Sequence, residues 1–179
     1  MDEFERAASE AAARALIEAG NIKGAEARLR NMLAKSSDDA RAMALLAHCQ
    51  FIAGAKKEAV AIARAAAQIE PDDPLVRSML AHALQVGAKS KKDREAAEDL
   101  AEDIAADDPE NWHAIFQLAI ARHNNKDPWG ARKLFDDAER FASTAGELVN
   151  VAWLRMREWN YDAAAALAQR AMELDPNRP

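Results

Sequence analysis

Three stretches of the chain read almost alike: EAVAIARAAAQIEPDD at 58–73, EAAEDLAEDIAADDPEN at 95–111 and DAAAALAQRAMELDPNR at 162–178. Each is an alanine-rich helical pattern that stops at an acidic residue followed by proline, which cannot continue a helix. Pro71 and Pro109 are 38 residues apart, and Pro109 and Pro176 are 67 apart, so the repeating unit is roughly 34 residues long. A chain with such a period folds by stacking one supersecondary unit on the next, because no single unit can bury its apolar face alone. Five units fit: 6–39, 40–73, 74–111, 112–144 and 145–178. The third is longer by four residues around Gly87 to Lys92, and the fourth is one residue short. Ser37 and Ser143 replace the closing proline in the first and fourth.

Alanine fills 44 of the 179 positions, while Gly and Pro number six each. With abundant Leu, Glu and Arg, this predicts helix almost throughout. The eighth place of each unit holds Ala13, Ala47, Ala81, Ala119 and Ala152, and the twentieth holds Ala25, Ala59, Ala97, Ala131 and Ala164. Small residues at fixed places allow two helices to cross closely. Asp73-Pro74 and Asp127-Pro128 read as a cap followed by proline at the first helical position. Asn21 and Asn160 are expected to cap second helices, and Asp2 with Glu5 to form a capping box. Gly20, Gly54 and Gly87 fall where first helices should end.

These five units in register resemble the tetratricopeptide repeat family, a helix–turn–helix of this length with small residues at the crossings and a closing proline. The resemblance covers residues 6–178 and implies an all-α fold, a right-handed α-solenoid formed by 1–179 as a single domain. The sequence departs from the family pattern at the twenty-fourth place, which holds Leu29, Ala63, Ala101, Phe135 and Ala168 where an aromatic is usual. In this family the first helix of each unit lines a concave face. The corresponding places carry Arg14, His48, Phe51, Ile52, His82, Phe116, Ile120, His123, Trp153, Met156 and Arg157. The resemblance therefore implies a peptide-binding groove lined by these residues.

An apolar and aromatic stripe where a solvated helix should be charged points to a buried partner. Phe51, Phe116 and Trp153 are the expected anchors, and His48, His82 and His123 are expected to titrate among them near their ordinary pKa of about 6.5. The family's clamp for acidic C-terminal tails has Lys, Asn, Asn, Lys and Arg where this chain has Glu10, Arg14, Leu45, Leu75 and Met79. An apolar or amphipathic protein segment is thus the expected partner, rather than an acidic tail. No His-x3-His or Glu-x-x-His spacing points to a metal. Cys49 is turned away from neighbouring His48 on a helix, and reads as a small buried thiol. No phosphate loop, nucleophile elbow or zincin motif is present, so the chain is expected to be neither an enzyme nor a cofactor carrier.

With 30 acids against 24 bases, the net charge of −6 argues against nucleic acid as partner. Glu95, Glu98, Asp99, Glu102 and Asp103 form an acidic stripe at helical spacing, expected to be solvated, after a loop bearing Lys89, Lys91, Lys92 and Arg94. No run of 18 apolar residues occurs, so no membrane span is expected. The acidic N-terminus resembles no secretory signal, and with one cysteine a cytoplasmic setting is expected. All four tryptophans and the one tyrosine fall in the last two units. The last helix exposes Leu167 and Met172 in this reading, which makes a homodimer through the C-terminal repeat, or a place within a larger protein, the alternative to groove binding.

Overall fold

The computed structural model describes residues 2–87 and 90–176. Its fold is all-α: among the described residues the regular elements are α1 (Glu3–Glu18), α2 (Ile22–Lys35), α3 (Ala40–Ile52), α4 (Lys56–Ile69), α5 (Pro74–Gly87), α6 (Lys91–Asp107), α7 (Trp112–Asn124), α8 (Pro128–Phe141), α9 (Ala145–Arg157) and α10 (Tyr161–Leu174). They form tandem helix–turn–helix pairs of the solenoid class. The chain divides into two compact units, Met1–Leu100 and Ala101–Pro179. In the first, each helix from α1 to α5 packs on the next, and the first helices α1, α3 and α5 also touch in series. In the second, α7 packs on α8, α8 on α9 and α9 on α10.

Side-chain caps start most helices. Asn21, Asp39, Asn111, Asp127 and Asn160 each accept a hydrogen bond from the backbone N–H three residues on. Asp73 accepts from the N–H groups of Leu75 and Val76. Each such bond satisfies a donor that the helix itself leaves orphaned. Asp2 caps α1, but Glu5 turns instead to Lys35, 2.6 Å away, so the box is half-formed. A complete capping box occurs at Thr144 and Glu147.

The alanines of the eighth and twentieth places are all buried, none more than 7 % exposed. Without longer side chains between them, paired helices approach closely, and larger residues fill the space around. In the second unit Phe135, Leu148, Leu154 and Leu167 form the centre. Trp112 joins them, its indole Nε1 donating to the Ala138 carbonyl at 2.9 Å. The first unit centres on Leu29, Met32, Leu45, Leu46 and Cys49. Burial, with the charge of Glu26, pushes the Cys49 thiol up to about 11, so it stays protonated at neutral pH.

Three local expectations are corrected. Gly87 is the last residue of α5, as expected, but it lacks the left-handed turn of Gly20 and Gly54; a Cβ there would lie 2.7 Å from Val60 Cγ2 on α4. Its absent side chain permits a close approach. The four extra residues of the third repeat extend helices: α5 has 14 residues against 13 in α3, and α6 has 17 against 14 in α4. Consequently Lys91, Lys92 and Arg94 stand in the first turn of α6, where the Asp93 N–H donates to Ser90 Oγ; Lys89 lies outside the described residues. The left-handed turn after a first helix is taken by Gly20 and Gly54 as expected, but also by Lys126 (φ 63°) and Trp159 (φ 61°), a conformation non-glycine residues rarely adopt.

Candidate functional site

In the first compact unit the expected groove residues sit on α1, α3 and α5. His48 and Phe51 project from α3 toward His82 on α5, and the rings meet edge to face at centroid distances of 5.6 Å for His48–His82 and 4.6 Å for Phe51–His82. These three are half-buried, and beside them Ile52 and Val86 stand exposed. Arg14 is engaged in an ion pair on its own helix. Its guanidinium pairs with Glu10 at 2.9 Å, and Glu10 also holds Arg41, which reaches Asp73. Hydrogen bonding from Arg41 keeps the Glu10 carboxyl below its ordinary pKa despite its burial. The network ties α1, α3 and the start of α5 together.

In the second unit α9 presents Val149, Trp153 and Met156, all exposed, at i, i+4 and i+7 on one face. Arg157 lies over the Trp153 ring, 4.8 Å from its centroid, and donates to Asn124 Oδ1 on α7 at 3.1 Å. Trp153 is thus orientated at solvent. Ile120 is partly buried against the core. Phe116 is placed differently from an open anchor: it is 8 % exposed and stacks on Trp112 at 4.8 Å. His113 is exposed and meets Trp112 edge-on.

His123 corrects the expectation of an ordinary imidazole. Burial first, then the positive charge of Arg157, lowers its pKa, while Glu158 opposes the shift. The folded state therefore disfavours the imidazolium that the unfolded chain accepts near pH 6.5. The resulting stabilisation is complete above about pH 6.5 and is lost as pH falls below it toward the folded-state pKa. Stability measured by urea unfolding is expected to fall from about pH 7 toward about pH 5.5, and His123→Asn is expected to flatten that slope. An equal slope in both proteins excludes His123 as its source.

Arg155 was not foreseen. It is nearly buried between α8 and α9 and binds Asp136 at 2.6 Å, Glu139 at 2.8 Å and Glu158 at 3.0 Å. Burial works against its charge, but these hydrogen bonds outweigh it and raise its pKa further. The available signal was Asp136 and Glu139 three residues apart, facing an arginine in an otherwise apolar run. The aromatic enrichment of this half divides: Trp112 is core, Trp153 is half-exposed, and Trp129 and Trp159 are about 80 % and 79 % exposed.

The acidic stripe is largely at the surface, yet not idle, since Glu102 pairs with Arg122 of α7. Among the described residues no three metal-ligating side chains converge, and no helix is long and apolar enough to cross a membrane.

Residues 7–83 match the tetratricopeptide repeat family model. No curated protein matches the chain. Among solved structures, TTC0263, a thermophilic TPR protein of Thermus thermophilus, is 18 % identical with a TM-score of 0.76, covering 94 % of this chain and 91 % of its own. MamA of Desulfovibrio magneticus RS-1 is 14 % identical, with a TM-score of 0.58 over 95 % and 94 % of the two chains. YrrB, a TPR protein with an unusual peptide-binding site, is 17 % identical, with a TM-score of 0.54 over 93 % and 84 %. At these identities the likeness is one of fold. The family model thus matches the first helix pairs, the same pair recurs to α10, and the whole chain has the fold of these TPR proteins.

Proposed function

We propose that this protein is a non-enzymatic scaffold, acting in the cytoplasm, that binds an apolar or amphipathic protein segment on its first helices. Tetratricopeptide repeats are protein-interaction scaffolds, so the class follows from the family. The observation that carries the finer reading is the α9 face: Val149, Trp153 and Met156 stand exposed in one line, and Arg157 steadies the indole. Large apolar side chains aligned on solvent are the usual mark of an interaction surface, and a pre-positioned tryptophan loses little entropy on contact. Phe51, Ile52 and His82 supply a second apolar cluster on α3 and α5. A helical segment bound at either face would meet it through residues at i, i+3/i+4 and i+7. That YrrB carries a peptide-binding site supports the same kind of partner here. The stretch 1–179 is taken as one array of repeats.

The test begins with a random peptide library selected on the immobilised protein. Enriched peptides are expected to be apolar or amphipathic. Truncating a true anchor removes about 2 kcal/mol or more of binding, roughly thirtyfold. Trp153→Ala is therefore expected to weaken selected peptides by that factor, and Met156→Ala by less. Unchanged affinity in both variants and in Phe51→Ala removes the first helices as the binding face. Phe116→Ala is not a clean probe, because it opens the core.

A further inference from the structure

In the four repeats followed by another helix pair, the twenty-fourth place is sealed: Leu29, Ala63, Ala101 and Phe135 are each no more than 1 % exposed. In the last repeat the same place, Ala168, is exposed, and so are its neighbours on that face, Tyr161, Ala165 and Met172. The internal junctions show what normally covers this face. The Gln50 side chain of α3 reaches Glu26 of α2, and Gly87 of α5 lies against Val60 of α4. Ala66 and Ala67 of α4 pack with Val76 of α5. At these junctions the covering element is the first helix of the next repeat, running antiparallel, with its third and tenth places turned inward. Cys49, Ala83, Ala121 and Leu154 hold that tenth place, and all are buried.

The one first helix with this inward face uncovered is α1 itself. Its third and tenth places, Ala8 and Ala15, are exposed, with Ala11 between them and Phe4, 85 % exposed, one turn before. Phe4, Ala8, Ala11 and Ala15 are an apolar stripe of the same length and period as Tyr161, Ala165, Ala168 and Met172. In the register of the internal junctions, Phe4 and Ala8 meet Met172, and Ala15 meets Tyr161 and Ala165. The alanines allow the close helix approach that the interior of the fold already uses. We propose that a second copy of this chain seats its α1 on α10, a head-to-tail junction that repeats the α2–α3 and α4–α5 contacts between molecules. Such a contact is heterologous: each copy offers one head and one tail, so association continues past the dimer. A single helix-on-helix face falls below the roughly 1,200 Å² of a stable complex, so assembly is reversible and rises with concentration.

Sedimentation equilibrium of the 179-residue chain over a broad concentration range is the test. The parent's mean mass is expected to rise beyond that of a dimer. Ala15→Glu closes the head and Ala168→Arg closes the tail; both sites are exposed in the monomer, so the helical circular dichroism signal is expected to be unchanged. Each variant alone is expected to be monomeric, yet an equimolar mixture is expected to form a heterodimer and stop there, since one good head and one good tail remain. A parent that stays monomeric throughout overturns the proposal, whatever else binds α10. A dimer abolished by Ala168→Arg but untouched by Ala15→Glu, with no heterodimer on mixing, is a tail-to-tail contact and overturns it too. Trp153→Ala is expected to leave association intact, which separates this junction from the peptide face. Leu167, expected from sequence to lie on the open face, is 2 % exposed against the core, so its replacement reports on folding instead.

Discussion

Phe135→Ala is expected to destabilise the second compact unit by about 3–5 kcal/mol, the largest effect of any single truncation in this protein. Phe135 is the largest of the fully buried side chains, 1 % exposed, and sits where α8 meets both its own partner helix and α9. Its removal leaves a void in the cluster that also holds Trp112, Leu148 and Leu154. Trp112 is held by its hydrogen bond to the Ala138 carbonyl, so that part of the cluster cannot collapse freely. For a domain of this size the loss corresponds to a drop in Tm of about 10 °C. If 1–179 behaves as one array, the whole unfolding transition moves; if the two compact units melt apart, the drop is confined to one of two transitions. Thermal unfolding followed by circular dichroism distinguishes these outcomes. A loss below about 1 kcal/mol would show that the cluster repacks and is not the centre of the unit.

Ala59→Leu is expected to cost about 1–3 kcal/mol by overpacking. Ala59 is 1 % exposed at the crossing of α3 and α4, and leucine adds three carbons where no room exists. The control is another alanine. Ala168→Leu places the same extra carbons on the open face of α10, and at low protein concentration is expected to change stability by less than about 0.5 kcal/mol. Urea unfolding of the pair checks this directly. Equal effects at both positions would mean that the crossing at Ala59 is loose.

The contrast between those alanines shows where sequence is informative. The helix pairs were legible because their signals are local: Asp or Asn before a helix, proline beyond its end, and alanine recurring at the crossings. The close approach at Gly87 was not legible, because a glycine that only ends a helix and one that also admits a neighbour look the same in sequence. What decides between them is Val60, 27 residues earlier and on another helix. Phe116 was placed correctly on a first helix, but Trp112, one turn before it, stacks on the ring and closes it off. Arg14 sits on the expected helix, yet Glu10 and Arg41 recruit it into an ion network that only the packing of α1 against α3 creates. Trp153 and Met156 stand exposed on the expected helix, and Arg157 is held between the Trp153 ring and Asn124.

Confinement of every indole and the single phenol to residues 112–161 divides the molecule spectroscopically. Tryptophan emission and the indole bands of the near-ultraviolet dichroism report on the second compact unit, whereas the first carries neither indole nor phenol, only the phenyl rings of Phe4 and Phe51. A ligand that quenches emission has touched or moved the second unit. One detected by calorimetry without any change in emission has left the indoles undisturbed, as binding at α3 and α5 would. Assigning a binding event to one half of this protein therefore requires no label.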